Sequence, residues 1–588
     1  MINEKYIKVL YINLETEKIH IEHREDLMQY LGGVGIASKL FLENLKPDLP
    51  PMDAEQPIVF AIGAATYVFP VITKTVAMFI SPLTGELGES YAGARLAMTL
   101  LMAGYDAVVI TGKAKKQSYL SIATNNVSVK DARAIWVLSV TEVGQYIRDR
   151  ERHKGQADGK RSILYIGPAG ENGVSFACAT VDTYRHFGRL GLGACMGAKN
   201  LKAISVYGNR SIPILNHKKY LKLYQQLYKK STVTEYMAKY HDSGTPENIM
   251  PLNKGGGLPT RNMRTNSFEE AGRVCGESFA LKNLVRKMSC TGCPVGCIHI
   301  GMYRREFDKG HEYEAISVSY DYELIFALGI FLGISNTDSI IALINEVEEY
   351  GLDAISTGVC LGWATDALEK GYITDEDTLV NLQFGKPEAY ITAIGNLAKG
   401  VNAFYQALGK GSRHAASIYG GGEFAMQIAG NEMAGYHTGY GSLVGAAVGA
   451  RHSHLDNGGY SLDQNNEAFD EDKYVDALFD EECERCMTNS LIMCLFARKI
   501  YDRQTIIDSL NALGWTLTDE DLTAIGRRIY KIKLEIKKAL GFRQMGVKIS
   551  KRFFETPSMN GILEEDVVKS MIRKYSEKTE EFLTSESD

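Results

Sequence analysis

Residues 289–299 read SCTGCPVGCIH, and three cysteines in this stretch, Cys290, Cys293 and Cys297, fall within eight positions. Nothing local supplies a fourth soft ligand. Tetrahedral zinc and cubane iron-sulfur clusters both normally take four protein ligands, often all thiolate. A distant segment must therefore fold back onto this one. The chain has ten cysteines, at 178, 195, 275, 290, 293, 297, 360, 483, 486 and 494. Cys290 and Cys293 with Cys483 and Cys486 of CERC would make a zinc site from two CxxC pairs, but Cys297 is then left unused. A CxxCxxxC run that engages all three nearby thiols points instead to a cubane whose fourth thiolate is remote, with Cys486 and Cys494 as candidates.

At 588 residues the chain exceeds what one hydrophobic core accommodates, so two to four domains are expected. The composition, 45% hydrophobic and 23% charged, is that of an ordinary globular protein. A formal net charge of -6, with no basic cluster interleaved with aromatics, argues against a nucleic-acid surface and suits small-molecule substrates. The opening MINEKYIKVLYINLETEKIHIEH carries charges where a signal peptide needs an apolar run. The longest apolar run, LIFALGIFLGI at 324–334, is shorter than the ~18 residues of a membrane span. A cytoplasmic protein without a membrane span is expected. In that reducing compartment, clustered cysteines read as metal ligands or redox groups rather than disulfides.

Up to about residue 210 the chain is rich in short β-branched runs between turn residues: YIKVLYINL, a turn ETEK and IHIEH as a hairpin, then YDAVVITGK, SYLSIAT, SILYIGPAG and LKAISVYGN. A helix is expected around Tyr91 to Gly104. From about 211, apolar residues recur at helical spacing in HKKYLKLYQQLYKKS, TDSIIALINEVEEYGLD, EAYITAIGNLAKGVNAFYQALG and LTAIGRRIYKIKLEIKKALG. The expected class is α+β: a β-sheet-rich N-terminal domain, 1–210, then two mainly α-helical domains, 211–418 and 419–588. The second boundary falls in the glycine-rich stretch at Tyr419 to Gly422. The last ~15 residues read as solvated. LGGVGIASKL at 31–40 lacks the spacing of a dinucleotide-binding loop.

Several segments in order resemble the tungsten-dependent aldehyde ferredoxin oxidoreductases: SPLTG at 81–85, AGYDAVVITGKA at 103–114, IGPAGEN at 166–172, GRLGLGACMGAKNLKAI at 188–204, CTGCPVGC at 290–297, GLDAISTG at 351–358 and MCLF at 493–496. The resemblance implies that Cys494 is the fourth ligand of a [4Fe-4S] cluster, with Cys483 and Cys486 outside the set. It also implies a tungsten, or molybdenum, held by two pyranopterins at the domain interface, their phosphates sharing Mg2+. Arg185, His186, Gly188 and Arg189 of YRHFGRLGLG fall on positions near the phosphates and magnesium, where arginine forks and close glycine backbone suit anions. Lys74 stands where the family commonly has arginine, and Tyr91 where a backbone carbonyl is used. Of two segments that hold the pterin rings, EEYGLD matches through Glu348 and Asp353. NSLIMC departs, with Asn489 in place of an acid and Ile492 in place of glycine, leaving the backbone around Met493.

Family members place a glutamate of a GxEYE segment and a histidine beside the metal. GHEYEAIS offers Glu314, seventeen residues after Cys297, and DYELI offers Glu323, twenty-six after. Glu314 is preferred on local context, which implies an insertion of about nine residues, SVSYDYELI. GARHSHLDN offers His452 and His454, with His454 preferred. Glu314 and His454 are thus expected to move protons or orient an aldehyde undergoing oxidation to a carboxylic acid. Electrons would leave through the cluster to ferredoxin or a small iron-sulfur subunit. The Glu-x-x-His pair that holds an iron between subunits in some members is replaced by Ala342 to Asn345, so an oligomer would lack that iron. Reduction of an aromatic acyl-CoA ring with the same cofactors, and a non-catalytic iron-sulfur or zinc scaffold, are the alternatives.

Overall fold

The computed structural model describes residues 4–152, 157–214, 216–232, 235–308, 310, 312–465 and 468–585. Twelve strands between Ile7 and Tyr207 form two six-stranded sheets. The first runs, edge to edge, Lys18–Arg24, Ile7–Asn13, Ala107–Thr111, Ile58–Ala61, Thr75–Ile80 and Leu87–Ala92. The second runs Arg185–Phe187, Ala179–Val181, Arg161–Tyr165, Leu201–Tyr207, Ser118–Ala123 and Asn126–Asp131. The expected opening hairpin is present, with Asn13 paired to Lys18. Its turn comes one residue earlier than ETEK because Asn13 Oδ1 accepts the N–H of Glu15 at 3.1 Å and of Thr16 at 2.9 Å, closing a side-chain-capped turn.

The helix expected from Tyr91 begins only at Leu96 and ends at Ala103. Tyr91 instead lies on the strand Leu87–Ala92, paired with Val76 of its neighbour. The glycines of LGGVG open the helix Gly33–Asn44 rather than a dinucleotide loop. Gly33 has φ +42°, and a Cβ there would lie 2.4 Å from the Asn489 carbonyl oxygen, so only glycine lets residues 489–492 approach this closely.

Beyond Tyr207 helices dominate, as the 3.6-residue pattern predicts: His217–Thr232, Thr337–Tyr350, Pro387–Lys399, Ala403–Leu408 and Asp519–Ala539 are all present. Two features differ from expectation. A three-stranded antiparallel sheet, Leu284–Met288, Ile298–Asp308 and Glu312–Tyr320, interrupts the helices, and the connection between its first two strands carries the three clustered cysteines. The expected solvated tail is also shorter, because the helix Glu565–Thr584 buries Val568, Met571, Ile572 and Tyr575 against the core.

The apolar run 324–334 is broken between the helix Tyr322–Leu328 and a turn at Ile330–Leu332, with Ile325 and Phe326 fully buried. Among the described residues, no single helix is long and apolar enough to cross a membrane. One apolar core joins the sheets to the helices.

Candidate active site

Cys290, Cys293, Cys297 and Cys494 line one cavity of about 360 Å³, at the meeting of the sheets with both helical segments. Backbone hydrogen bonds converge there from a single residue. Val71 N–H donates to Gly292 C=O at 3.2 Å, and its carbonyl accepts from Cys494 N–H at 3.2 Å. Val71 holds φ +70°, a left-handed conformation that costs a β-branched residue roughly 1–3 kcal/mol and persists only when its surroundings impose it. On either side, Ile72 bridges Met493, and Lys74 N–H donates to Ile492 C=O at 3.2 Å. Thr291 N–H donates to Ala94 C=O at 3.2 Å. The loop at 71–74 thus registers the two cysteine segments across about two hundred residues of chain.

Burial pushes the Cys297 thiol up to about 12, with help from Cys494 and Cys290, and raises that of Cys293 as well. Neutral thiols are costly to ionise there unless cations replace the lost water. Lys74 supplies one. Burial opposes its charge, but Cys494, Cys290 and Cys297 outweigh that and raise its pKa. Gly93 supplies room: a Cβ there would fall 2.4 Å from Cys290 Sγ and 3.5 Å from Lys74 Nζ. Among the described residues, no three His, Cys, Asp or Glu side chains are grouped to hold a single metal ion. The zinc set is not assembled, because Cys483 and Cys486 lie buried on the helix Glu471–Ser490, where Cys486 faces Lys533 and Glu89.

Glu314, expected in the site, is not there. It sits on the strand Glu312–Tyr320 with its side chain 43% exposed, paired to Arg305 Nε at 2.7 Å across the hairpin. Glu323, the other candidate, lines the cavity with its Oε1 3.4 Å from His454 Nε2. The reason lies in the strand and helix between them. Tyr320 ends the strand, and Asp321 caps the helix Tyr322–Leu328 by accepting from Glu323 N–H at 3.1 Å, which turns the next side chain inward. Burial raises Glu323 to about 8, against the Gly435 N–H that its Oε2 accepts at 3.1 Å. Burial lowers His454 to about 3, with Arg189, Arg451 and Arg485 adding to the effect. At neutral pH a carboxylic acid therefore faces a neutral imidazole. Glu323 Oε1 and His454 Nδ1 are buried and accept or donate no protein hydrogen bond.

His454 starts a short helix capped by Ser453. Asp456 accepts from Arg451 N–H at 3.1 Å and Ser453 N–H at 2.9 Å, and Asn431 holds the carbonyls of Arg451 and His452 at 3.2 and 3.0 Å. His452 points elsewhere, to Glu86 at 3.0 Å and Lys537. Arg451 lies over the Tyr91 ring, 5.2 Å from its centroid, and donates to Glu89 C=O.

The remaining expected residues divide into groups. Lys74, Tyr91, Arg185, Asn489 and Met493 line the same cavity. His186 Nε2 meets Glu348 at 2.7 Å. Arg189 Nε donates to Asp353 at 3.2 Å and its Nη2 to Glu432 C=O at 2.7 Å, while Asp353 caps the helix Ala354–Glu369. Gly188 follows the strand Arg185–Phe187, where a Cβ would meet nothing within 4 Å. Ile492 adopts φ +60°, keeping the left-handed turn that a glycine serves more cheaply. Sequence reasoning missed Tyr322, Tyr436 and Tyr460, which also line the cavity. Tyr436 stacks on Tyr460 at 4.4 Å and lies tilted against His454 at 5.3 Å. Scattered tyrosines carry no motif that would have flagged them.

Two family models match the chain: "Aldehyde ferredoxin oxidoreductase, N-terminal domain" over residues 9–208, and "Aldehyde ferredoxin oxidoreductase, domains 2 & 3" over residues 219–580. A tungsten-containing aldehyde ferredoxin oxidoreductase of Pyrococcus furiosus is 32% identical over 97% of this chain and 95% of its own length. The protein of the same name from Thermococcus kodakarensis is 31% identical with the same coverage. The WOR-like subunit of an aliphatic sulfonate oxidoreductase of P. furiosus is 28% identical over 90% of this chain and 85% of its own. The fold is shared with the active-site complex BamBC of benzoyl coenzyme A reductase, with a TM-score of 0.81 at 19% identity, covering 97% of this chain and 94% of that one.

Proposed function

This chain belongs to the aldehyde ferredoxin oxidoreductase family, and we propose that it oxidises an aldehyde to a carboxylic acid and passes the electrons through a [4Fe-4S] cluster to ferredoxin or a small iron-sulfur protein. The observation that carries this reading is that Glu323 and His454 face each other on the cavity that the four cysteines also line.

The residues on the cavity wall, the four cysteines with Lys74, Tyr91, Arg185, Asn489 and Met493, suit the implied groups, while His186, Arg189, Glu348 and Asp353 pair with one another and do not line it. Cys290, Cys293, Cys297 and Cys494 would hold the cluster, in the space that Gly93 leaves beside Cys290. Lys74, Arg185 and Arg189, with the open backbone at Gly188, would meet pterin phosphates. The backbone near Tyr91 and His186 would serve Mg2+. Glu348, Asp353, Asn489 and the backbone at Met493 would take the ring edges. The two buried, unpartnered polar atoms, Glu323 Oε1 and His454 Nδ1, mark where a ligand's polar groups belong. A pterin-held tungsten supplies the two-electron acceptor when bound, and the cluster a one-electron outlet.

The chain's own work is with protons. Oxidation of R–CHO with water gives R–COOH, two protons and two electrons. Glu323, protonated at neutral pH, donates from its carboxyl to the carbonyl oxygen and orients it. His454, neutral at the same pH, accepts a proton from the attacking water. Tyr322, Tyr436 and Tyr460 line the cavity beside the pair. Metal analysis of the purified enzyme, followed by aldehyde-dependent reduction of a low-potential viologen, tests the reading. About four iron and one tungsten or molybdenum per chain with aldehyde turnover support it. Metal content without aldehyde turnover, but with reduction of an aromatic acyl thioester, would replace it by ring reduction, in keeping with the benzoyl coenzyme A reductase whose fold this chain shares.

A further inference from the structure

One wall of the cavity is cationic and borders the cysteine segment, since Tyr240 lies near Cys494 and Cys297. It is reached outward from His454 through three side chains. The Tyr436 ring lies tilted against His454 at 5.3 Å, Asn248 bonds to Tyr436, and Lys239 donates to the Asn248 side-chain oxygen. Lys239 lies on the helix Glu235–Asp242, next to Tyr240, whose ring stacks on Phe496 at 4.1 Å. Arg498, two residues on from Phe496, lies close enough to Tyr240 to favour its ionisation. Lys239, Tyr240, Phe496 and Arg498 line the cavity together.

Lys239 is half-buried, and burial together with Lys499 works against its charge while Glu247 favours it. A partly desolvated ammonium held by a neutral amide is short of a counter-charge. Arg498 is exposed and also lines an outer groove of about 570 Å³, so it stands where the cavity meets solvent. Of the three acids of that groove, Glu481 is engaged with Arg485 at 2.7 Å and Glu484 with Arg503 at 2.5 Å, and Asp480 is the third.

We propose that this wall selects aldehydes carrying an anionic group, a carboxylate or a phosphate, at the end remote from the carbonyl, with Lys239 and Arg498 binding that group while the carbonyl reaches Glu323 and His454. The inference rests on the aldehyde-oxidising reading for its chemistry and on Lys239 and Arg498 alone for its selectivity. The uncharged stem between the two ends would lie along Tyr436, Tyr460 and Tyr240.

The test compares 4-oxobutanoate with its neutral methyl ester, using the metal-loaded enzyme and a viologen acceptor. The wild type should prefer the anion in kcat/KM through KM, and added salt should weaken that preference. Lys239→Gln and Arg498→Gln should each lower the ratio of the two kcat/KM values about 10-fold, one well-formed charge contact, with Lys239→Arg restoring it. Equal kcat/KM for the two aldehydes in the wild type, or a ratio unmoved by either Gln variant, overturns the proposal. If neither aldehyde is turned over, the aldehyde reading has failed. Calorimetric binding of 4-oxobutanoate and of its ester then decides the anion site by itself: tighter binding of the anion, lost in Lys239→Gln, upholds it, and equal binding rejects it.

Discussion

Glu323 Oε1 and His454 Nε2 stand 3.4 Å apart in a largely buried setting, and burial drives their pKa values in opposite directions, up to about 8 and down to about 3. Both groups are therefore neutral at pH 7, one able to donate a proton and one to accept it. Opposed environments around two adjacent titratable groups are how one site separates acid from base.

This arrangement separates the two candidate glutamates directly. Glu323→Gln and His454→Gln should each lower aldehyde turnover by at least about 100-fold with iron and tungsten content retained. Glu314→Gln should stay within about twofold of wild type, because its partner is an exposed arginine across a hairpin. A turnover loss confined to Glu314→Gln would return the role to the other position.

Stability should carry the same signature. Native Glu323 keeps its proton up to about pH 8, whereas the unfolded chain releases it near 4.5. Between those values the native state binds more protons, so this group's contribution is full below about pH 4.5 and is lost as pH rises towards 8. His454 acts oppositely between about 3 and 6.5, where only the unfolded chain takes up the proton, so its contribution grows with pH and is complete by 6.5. The midpoint of thermal unfolding of Glu323→Gln, relative to wild type, should therefore climb from pH 5 to pH 8. A difference independent of pH would mean that Glu323 is ionised in the native protein.

Iron content should follow the four cysteines of the cavity and ignore the CERC pair. Cys494→Ser and Cys297→Ser should lose most of the iron seen in wild type. Cys486→Ser should keep it, since that thiol faces Lys533 and Glu89 inside the helical core. Iron analysis on the purified variants, with visible absorption as a second readout, decides between the two sets.

Two glycines carry close approaches that a methyl group would obstruct. Gly93→Ala puts a carbon 2.4 Å from Cys290 Sγ and should lower iron content without touching a ligand. Gly33→Ala adds a Cβ 2.4 Å from the Asn489 carbonyl at φ +42° and should lower stability by about 1–3 kcal/mol in denaturant titrations. Wild-type iron content in Gly93→Ala would show that the backbone there yields freely.

Removing the carboxylate of Asp353 strips Arg189 of its side-chain acceptor and uncaps the helix Ala354–Glu369, whose Ile355 and Ser356 N–H groups it accepts at 3.1 and 3.3 Å. Asp353→Ala should cost about 1–3 kcal/mol, from the lost cap and the lost ion pair, with Arg189 still donating to Glu432 C=O. Asp353→Asn keeps the cap and should cost less, so the gap between the two variants in chemical unfolding measures the ion pair.

Residue chemistry and local periodicity settled much of this protein in advance. Alternating β-branched runs announced six of the twelve strands up to Tyr207, the 3.6-residue pattern announced five of the helices after it, and three thiols in eight residues demanded a distant partner. Those signals are local, because a side chain's burial pattern repeats with the geometry of its own strand or helix. The choice between Glu314 and Glu323 was of another kind. Nine residues separate them on the same hairpin-to-helix path, both sit in acidic, tyrosine-flanked contexts, and only the position of the Tyr320 strand end and the Asp321 cap points one outward and the other into the cavity. The clamp by Val71, the pairing of Arg189 with Asp353 and the cationic wall at Lys239 and Arg498 likewise join residues 164 or more positions apart. Such contacts are made by packing between elements, which no window along the chain encodes.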